Sequence, residues 1–281
     1  MTIIEAIKIR SSCRTYSNKP ILPHQFVALY NFLEANKEAP FGSKVRFQLI
    51  DLNELEIGEL KNLGTYGVIK GARHFMVGAV VKAPGAMEDY GYCMEKNILE
   101  ATALGLGTCL LGGTFKRSGF ADKVNTTKDE LLPVISPVGY SSGKRSIIDR
   151  TFRLVAGSNQ RKPWPELFYC QDTDTPLKEA NAGRYNIPLE CVRIAPSASN
   201  KQPWRIVKDR QRDNFHFYLR RTPGYDKYFK DIKLQNVDLG IALCHFELSA
   251  RELGLHGKWH ANDPYIKSAG LEYIVSWIAR T

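Results

Sequence analysis

Gly91 to Leu106, GYCMEKNILEATALGL, is answered later in the chain by Gly240 to Leu255, GIALCHFELSARELGL. Identities fall at Gly91/Gly240, Leu99/Leu248, Ala101/Ala250, Leu104/Leu253, Gly105/Gly254 and Leu106/Leu255, where ordinary composition gives roughly one match. Each segment reads as a long amphipathic helix, apolar at spacings of three and four and closed by a Gly in the C′ position. A second pair precedes them: Ala39-Pro40-Phe41-Gly42-Ser43-Lys44 against Ala195-Pro196-Ser197-Ala198-Ser199-Asn200, leading into strands over Val45 to Ile50 and Trp204 to Val207. Loop, strand and long helix thus occur twice in the same order. Because a repeat fixes the fold before any local reading does, the chain is expected to hold two copies of one α+β unit, 1–170 and 171–281. They would pack about an internal pseudo-twofold axis, imitating a C2 dimer. Ser141 to Pro165, rich in Ser, Gly, Lys and Arg, is the expected connection, and further strands are expected at Phe75 to Val81, Ile135 to Tyr140, Phe215 to Leu219 and Tyr273 to Ile278.

The composition of the 281 residues excludes several classes of function. At 43% hydrophobic and 24% charged, the chain can bury a core and does not read as disordered or fibrous. No apolar run approaches the ~18–20 residues that span a bilayer, and Met1 to Arg10 lacks the parts of a signal peptide, so a cytoplasmic location is expected. Six scattered cysteines without a CxxC pair read as free, mostly buried thiols, with no zinc site. A net charge of +10 raises nucleic-acid binding, but the basic residues are dispersed in short pairs such as Lys144-Arg145, Arg161-Lys162 and Arg220-Arg221. A generally basic surface, or a small anionic ligand such as a phosphorylated cofactor, accounts for the charge better.

Two segments could carry chemistry. Arg10-Ser11-Ser12-Cys13-Arg14-Thr15-Tyr16 follows a short helix over Ile3 to Ile9, and its two guanidiniums and intervening hydroxyls offer forked and neutral donors to one phosphate or carboxylate. Read alone, it is equally a solvated Arg pair at a helix end. Ala195 to Trp204, APSASNKQPW, brings small side chains that let backbone approach a flat ligand, with Asn200 and Gln202 able to bond ring-edge heteroatoms. A polar surface loop is the plain alternative.

These residues carry a resemblance. RSSCRTY is similar to the N-terminal Arg-Arg-Ser-x-Arg-x-Phe signature of the nitroreductase family of FMN-dependent oxidoreductases, and APSASNKQPWRIV resembles that family's Ala-Pro-Ser-x-x-Asn-x-Gln-Pro-Trp segment. Gly105 to Gly113, Pro137 to Tyr140 and Arg161 to Leu167 match further parts of it. The resemblance implies a nitroreductase-like α/β/α fold, here duplicated within one chain as an internal pseudo-dimer. It implies FMN as cofactor, NADH or NADPH as electron donor, and a nitroaromatic, quinone or similar small molecule as acceptor. Arg10, Ser11 and Ser12 would hold the FMN phosphate and ribityl, with Arg161 closing over the phosphate. Arg14, and more loosely Lys70, would face the pyrimidine end, where positive charge favours the reduced flavin. Gly112 and Gly113 would bring a backbone N–H to flavin N5, and Pro196, Ser197, Ala198, Asn200 and Gln202 would line the ring. No side chain need act as catalyst.

In family members the two motifs sit close together in one chain and meet across a homodimer. Here they sit in opposite copies, and the first copy has only the degraded Ala39-Pro40-Phe41-Gly42-Ser43-Lys44. One composite flavin site and one lost site are therefore expected, in a monomer that needs no partner. Flavin binding without turnover is the alternative function. Gly105-Leu106-Gly107 ends a helix and so is no dinucleotide fingerprint, and Gly139 to Ser146 has the wrong spacing for a P-loop. His256 and His260 are broken by Gly257 and make no helical metal pair.

Overall fold

A computed structural model describes residues 1–54, 63–65, 67–143, 160–225, 231–268 and 270–280. Most of the expected connection over 141–165, including Lys144-Arg145, lies outside the described residues. The first copy runs α1 (Ile3–Ile9), α2 (Pro23–Ala35), β1 (Val45–Asp51), β2 (His74–Val81), α3 (Ala86–Ala103), β3 (Gly107–Thr108), α4 (Arg117–Lys123), β4 (Glu130–Leu131) and β5 (Ile135–Gly139). Then follow α5 (Trp164–Leu167), β6 (Phe168–Cys170), α6 (Asn186–Arg193), β7 (Trp204–Lys208), β8 (Phe215–Leu219), α7 (Leu234–Glu252), β9 (Gly257–His260) and β10 (Glu272–Ala279). Local sequence sets the ends. Thr2 and Glu5 form a capping box at α1, Pro23 opens α2, and Gly105 and Gly254, at φ 77° and 72°, stop the two long helices.

Sheet topology demonstrates the duplication. The first sheet has the order β1-β2-β5-β3, with β4 also on β2, and the second has β7-β8-β10-β9 with β6 added outside β7. Every pair is antiparallel except β6 with β7. Strand for strand, β1, β2, β5 and β3 correspond to β7, β8, β10 and β9. The strand at the expected boundary, Phe168–Cys170, joins the second sheet in parallel register with Ile206 to Lys208.

The long helices cross at the repeat's own glycines. A Cβ on Gly91 would lie 2.1 Å from the carbonyl oxygen of Val237, and one on Gly240 would lie 1.9 Å from that of Glu88. Glu88 and Val237 are themselves repeat equivalents, so the contact is reciprocal. Only hydrogen at both positions lets the two backbones approach this closely.

This central placement corrects the amphipathic expectation. Sixteen of the nineteen residues of α7 are buried, on all sides, and α3 is buried almost as completely. The polar positions that looked like a solvated face are paired across the copies instead. Tyr92 Oη donates to Glu247 Oε2 at 2.9 Å, Asn236 Nδ2 donates to Glu88 Oε1 at 2.5 Å, and His245 meets Glu95. Burial pushes the Glu88 carboxyl up, and the Asn236 amide partly offsets that. Both helices also begin earlier than the sequence match, and near their starts Asp89 and Asp238 hold the loops before β1 and β7.

All six cysteines are free, four of them buried. Among the described residues no helix is long and apolar enough to cross a membrane.

Gly240→Ala should cost about 3 kcal/mol or more in chemical denaturation, because its Cβ meets backbone that cannot move aside. Gly64→Ala, where a Cβ meets nothing within 4 Å, should stay within about 0.5 kcal/mol of the parent. On the first sheet, Arg46 clamps Glu130 through two hydrogen bonds of 2.7 Å, and this holds the Glu130 carboxyl down to about 2. A depressed acid contributes stability that is present above its ordinary 4.5 and lost as pH falls toward 2. Denaturation midpoints of Glu130→Gln and the parent should therefore converge over that interval and differ above it.

Candidate functional site

The chain leaves α1 at Arg10 and runs alongside the first sheet. Ser12 bridges Thr108 in parallel, Cys13 N donates to Thr108 O at 2.8 Å, and Tyr16 Oη donates to Cys13 O at 2.8 Å. Gly107 makes the approach possible, since a Cβ there would stand 2.8 Å from that of Cys13. Lys70 is drawn beside this segment by main-chain bonds: Lys70 N donates to Arg14 O at 2.9 Å and Tyr16 N to Lys70 O at 2.8 Å. Lys70 is exposed. Arg10, Ser11, Ser12 and Arg14 line a cavity of about 420 Å³, whose wall is completed by Gly105 and Gly107 after α3. The backbone arrangement thus turns a short sequence motif into one donor-rich wall.

The second segment is held open by strain. Ser199, Asn200 and Gln202 have φ of 49°, 52° and 47°, three left-handed residues other than glycine within four positions. Such conformations cost of order 1 kcal/mol or more each and persist only where surroundings impose them. The fastenings are visible. Asp238 Oδ1 accepts from Ala198 N at 2.8 Å, Ser197 Oγ accepts from Gln202 N at 2.9 Å, and Gln202 Oε1 accepts from Lys162 N at 2.8 Å. Gln202 is only 2% exposed, and its amide bonds Asn200 as well. Gln202, expected at a ring edge, ties the loop to the segment before α5. Pro196, Ser197, Ala198 and Asn200 remain partly exposed.

Arg161 joins the two segments. Its guanidinium donates to Asn200 Oδ1, while Asn200 Nδ2 donates to Gln160 O at 2.7 Å. Burial first, then the positive charges of Arg10 and Arg193, push Arg161 down to about 10. Two guanidiniums from separate stretches of chain, held where they repel, form a place that an anion stabilises. Arg10 Nε is buried without a hydrogen-bond partner among the described residues. These donors fit a phosphate ester.

Gly112 lies against the start of α7. A Cβ on Gly112 would approach Leu234, at the start of α7, to 2.9 Å, and the Gly112 carbonyl accepts from Arg117 at 2.7 Å. Gly113 is exposed. The loop 110–113 and the loop 196–202 therefore both abut the first turns of α7.

Sequence reasoning missed the residues that hold these loops. Asp89 Oδ1 and Oδ2 accept from Phe41 N and Ser43 N at 2.8 Å each, as its repeat equivalent Asp238 accepts from Ala198 N. The signal was present, two positions before the matched glycines. Phe41 lies against Gly85, whose Cβ would come 2.6 Å from the ring, so the degraded loop turns an aromatic side chain toward its own helix.

The fold also assembles Asp209, His216 and Ser276: His216 Nε2 is 3.0 Å from Asp209 Oδ1, and Nδ1 is 2.7 Å from Ser276 Oγ. Ser276 is 2% exposed and its hydroxyl is further held by Tyr273 Oη at 2.8 Å. This chain of bonds ties β8 to β10 and offers no reachable nucleophile.

Comparison with known proteins bears on the family and the fold. The family model described as "Putative TM nitroreductase" matches residues 2–250. A crystal structure titled a "putative nitroreductase" from Thermotoga maritima MSB8 is 20% identical, with a TM-score of 0.62, covering 99% of this chain and 94% of that one. A nitroreductase family protein from Clostridium difficile 630 is 19% identical and covers 59% of this chain and 96% of its own, with a TM-score of 0.44. A nitroreductase in complex with FMN from Desulfovibrio desulfuricans is 16% identical and covers 53% and 94%, with a TM-score of 0.41. No curated protein matches the chain. With the family model spanning nearly all of it and the fold matched over its full length, the chain belongs to the nitroreductase family.

Proposed function

We propose that this protein is an FMN-dependent oxidoreductase of the nitroreductase type, passing hydride from NADH or NADPH to a nitroaromatic, quinone or similar small acceptor by turns at one site. The observation that carries the reading is the cavity lined by Arg10, Ser11, Ser12 and Arg14, with Arg161 held against the charge of Arg10. Bound FMN supplies the hydride-accepting and hydride-donating ring.

The residues of the chain bind and orient. Arg10 and Arg161 offer forked cationic donors to the phosphate, and Ser11 and Ser12 add hydroxyls. Arg14 and Lys70 bring positive charge to the pyrimidine end of the ring, where it favours added electrons. Gly112 and Gly113 present backbone N–H groups without side-chain bulk. Pro196, Ser197, Ala198 and Asn200 supply a thin wall of backbone and small groups, and Gln202 fixes that wall by its internal bonds. Neither proton relay nor nucleophile is required of a side chain.

The chain carries one such site. Arg10-Ser11-Ser12-Cys13-Arg14 occurs once in the sequence, in the first of the two copies, 1–170 and 171–281. The opposite position has Phe41 where the working loop has small residues. The internal duplication supplies the second half of the site that a separate subunit would otherwise provide, so the protein works as a monomer.

Saturation with FMN followed by desalting should retain about one flavin per chain, read from the visible absorbance, and two would refute the single site. Arg10→Ala and Arg161→Ala should each weaken FMN binding at least about tenfold, the scale of a charge-assisted hydrogen bond, while Ser43→Ala leaves it unchanged. Anaerobic NADH or NADPH should bleach the bound flavin. Bound flavin that neither nucleotide bleaches would replace this reading by flavin binding without turnover.

A further inference from the structure

Behind the cationic wall lies a buried acid and base that the proposed chemistry leaves unused. Glu95 in α3 and His245 in α7 are both fully buried, with His245 Nε2 2.9 Å from Glu95 Oε1. The other ring nitrogen, Nδ1, is 2.8 Å from the carbonyl oxygen of Cys191 in α6. A carbonyl oxygen can only accept, so Nδ1 carries a proton. Nε2 then faces a carboxylate oxygen, and two bare acceptors at that distance repel. The contact is a hydrogen bond when the pair holds one more proton, on Glu95 or on Nε2, and either placement leaves the pair neutral overall. Arg10 Nε stands 3.8 Å from the same Oε1. Neither Arg10 Nε nor Glu95 Oε2 has a hydrogen-bond partner among the described residues.

We infer that Glu95 and His245 are positioning residues for Arg10. By sharing a proton with Glu95, His245 lets the carboxyl stand beside the guanidinium and orient it without cancelling its charge, which stays available to an anion in the cavity. The inference takes the identity of that anion, the FMN phosphate, from the function proposed above. Around the pair, burial pushes the Cys191 thiol up to about 11 and the Cys244 thiol well above its ordinary value; Glu190, Glu252 and Lys8 act on the first, and Glu247 and Lys96 on the second, so the acids near the pair are matched by bases. On the cavity side Arg161 and Arg193 are cationic.

The repeat supplies an independent argument. The residue matching Glu95 in the second copy is Cys244, and the residue matching His245 in the first is Lys96. Packing at the helix crossing is symmetric, yet this acid and base occur once, on the side that has Arg10. The second copy thus contributes to the phosphate end of the site through His245, behind the wall.

The test compares dissociation constants for FMN and for riboflavin, which lacks the phosphate, in the full chain and in His245→Gln, Glu95→Gln and the double variant. Inorganic phosphate is titrated into the same proteins by calorimetry. The amide introduced by His245→Gln would offer a donor but no proton to share, leaving an ionised Glu95 to claim Arg10. His245→Gln should therefore lower the preference for FMN over riboflavin at least about tenfold while riboflavin affinity holds. Glu95→Gln should keep the preference, and the double variant should return to within about threefold of the parent. An unchanged preference in His245→Gln, a loss in Glu95→Gln, or no recovery in the double variant would overturn the inference. If His245→Gln does not fold, Glu95→Gln decides alone, since a loss of preference there contradicts it. The same pattern in phosphate affinity without FMN binding would uphold the inference and remove the flavin reading; FMN binding without the pattern would do the reverse. No binding of either probe removes both.

Discussion

Two long helices whose backbones touch at Gly91 and Gly240 set the geometry of everything else in this chain. A methyl group at either position would overlap a carbonyl oxygen of the other helix, so the pair can approach only where both side chains are absent. Because the two glycines are equivalent in the repeat, the contact has two-fold character, and each helix carries its own sheet into a matching position. The order β1-β2-β5-β3 against β7-β8-β10-β9 is the outcome. The strand Phe168–Cys170 adds in parallel outside β7.

Close packing at the centre explains the unusual composition of these helices. Surrounded on all sides, they would be expected to be apolar throughout. They instead carry Glu88, Asp89, Glu95, Asn97, Asp238, His245 and Glu247, all buried. Each of these costs desolvation, offset where a partner of suitable chemistry meets it, as Asn236 meets Glu88 and Tyr92 meets Glu247. Asp89 and Asp238 act similarly at the loop ends, accepting from backbone N–H groups that would otherwise lack partners.

Symmetry in the frame and asymmetry in the site follow from different kinds of constraint. Backbone packing tolerates few residues, and both copies keep the same glycines and aspartates. A binding wall asks for specific side chains, and among the described residues Arg10 to Arg14, the strained loop of Ser199 to Gln202, and Arg161 come together on one side. Phe41 on the other side closes against Gly85. A fused chain is free to lose one of two sites because its copies no longer share one sequence, whereas two identical subunits must change both sites together.

The sequence by itself determined the duplication, the α+β class, most strand and helix positions, and the family, since these rest on periodicity, turn residues and short motifs that are local. Gly105 and Gly254 marked the helix ends, and the strand expected at Phe215 to Leu219 is found over those residues. Tertiary structure alone decided that the long helices are central rather than half-exposed, because a polar residue looks the same in sequence whether water or a partner helix meets it. It alone gave Gln202 an internal role, since burial is a property of what surrounds a residue. It also brought Glu95 and His245, from α3 and α7, behind Arg10 at the end of α1, a proximity that depends on where the two glycines let the helices cross.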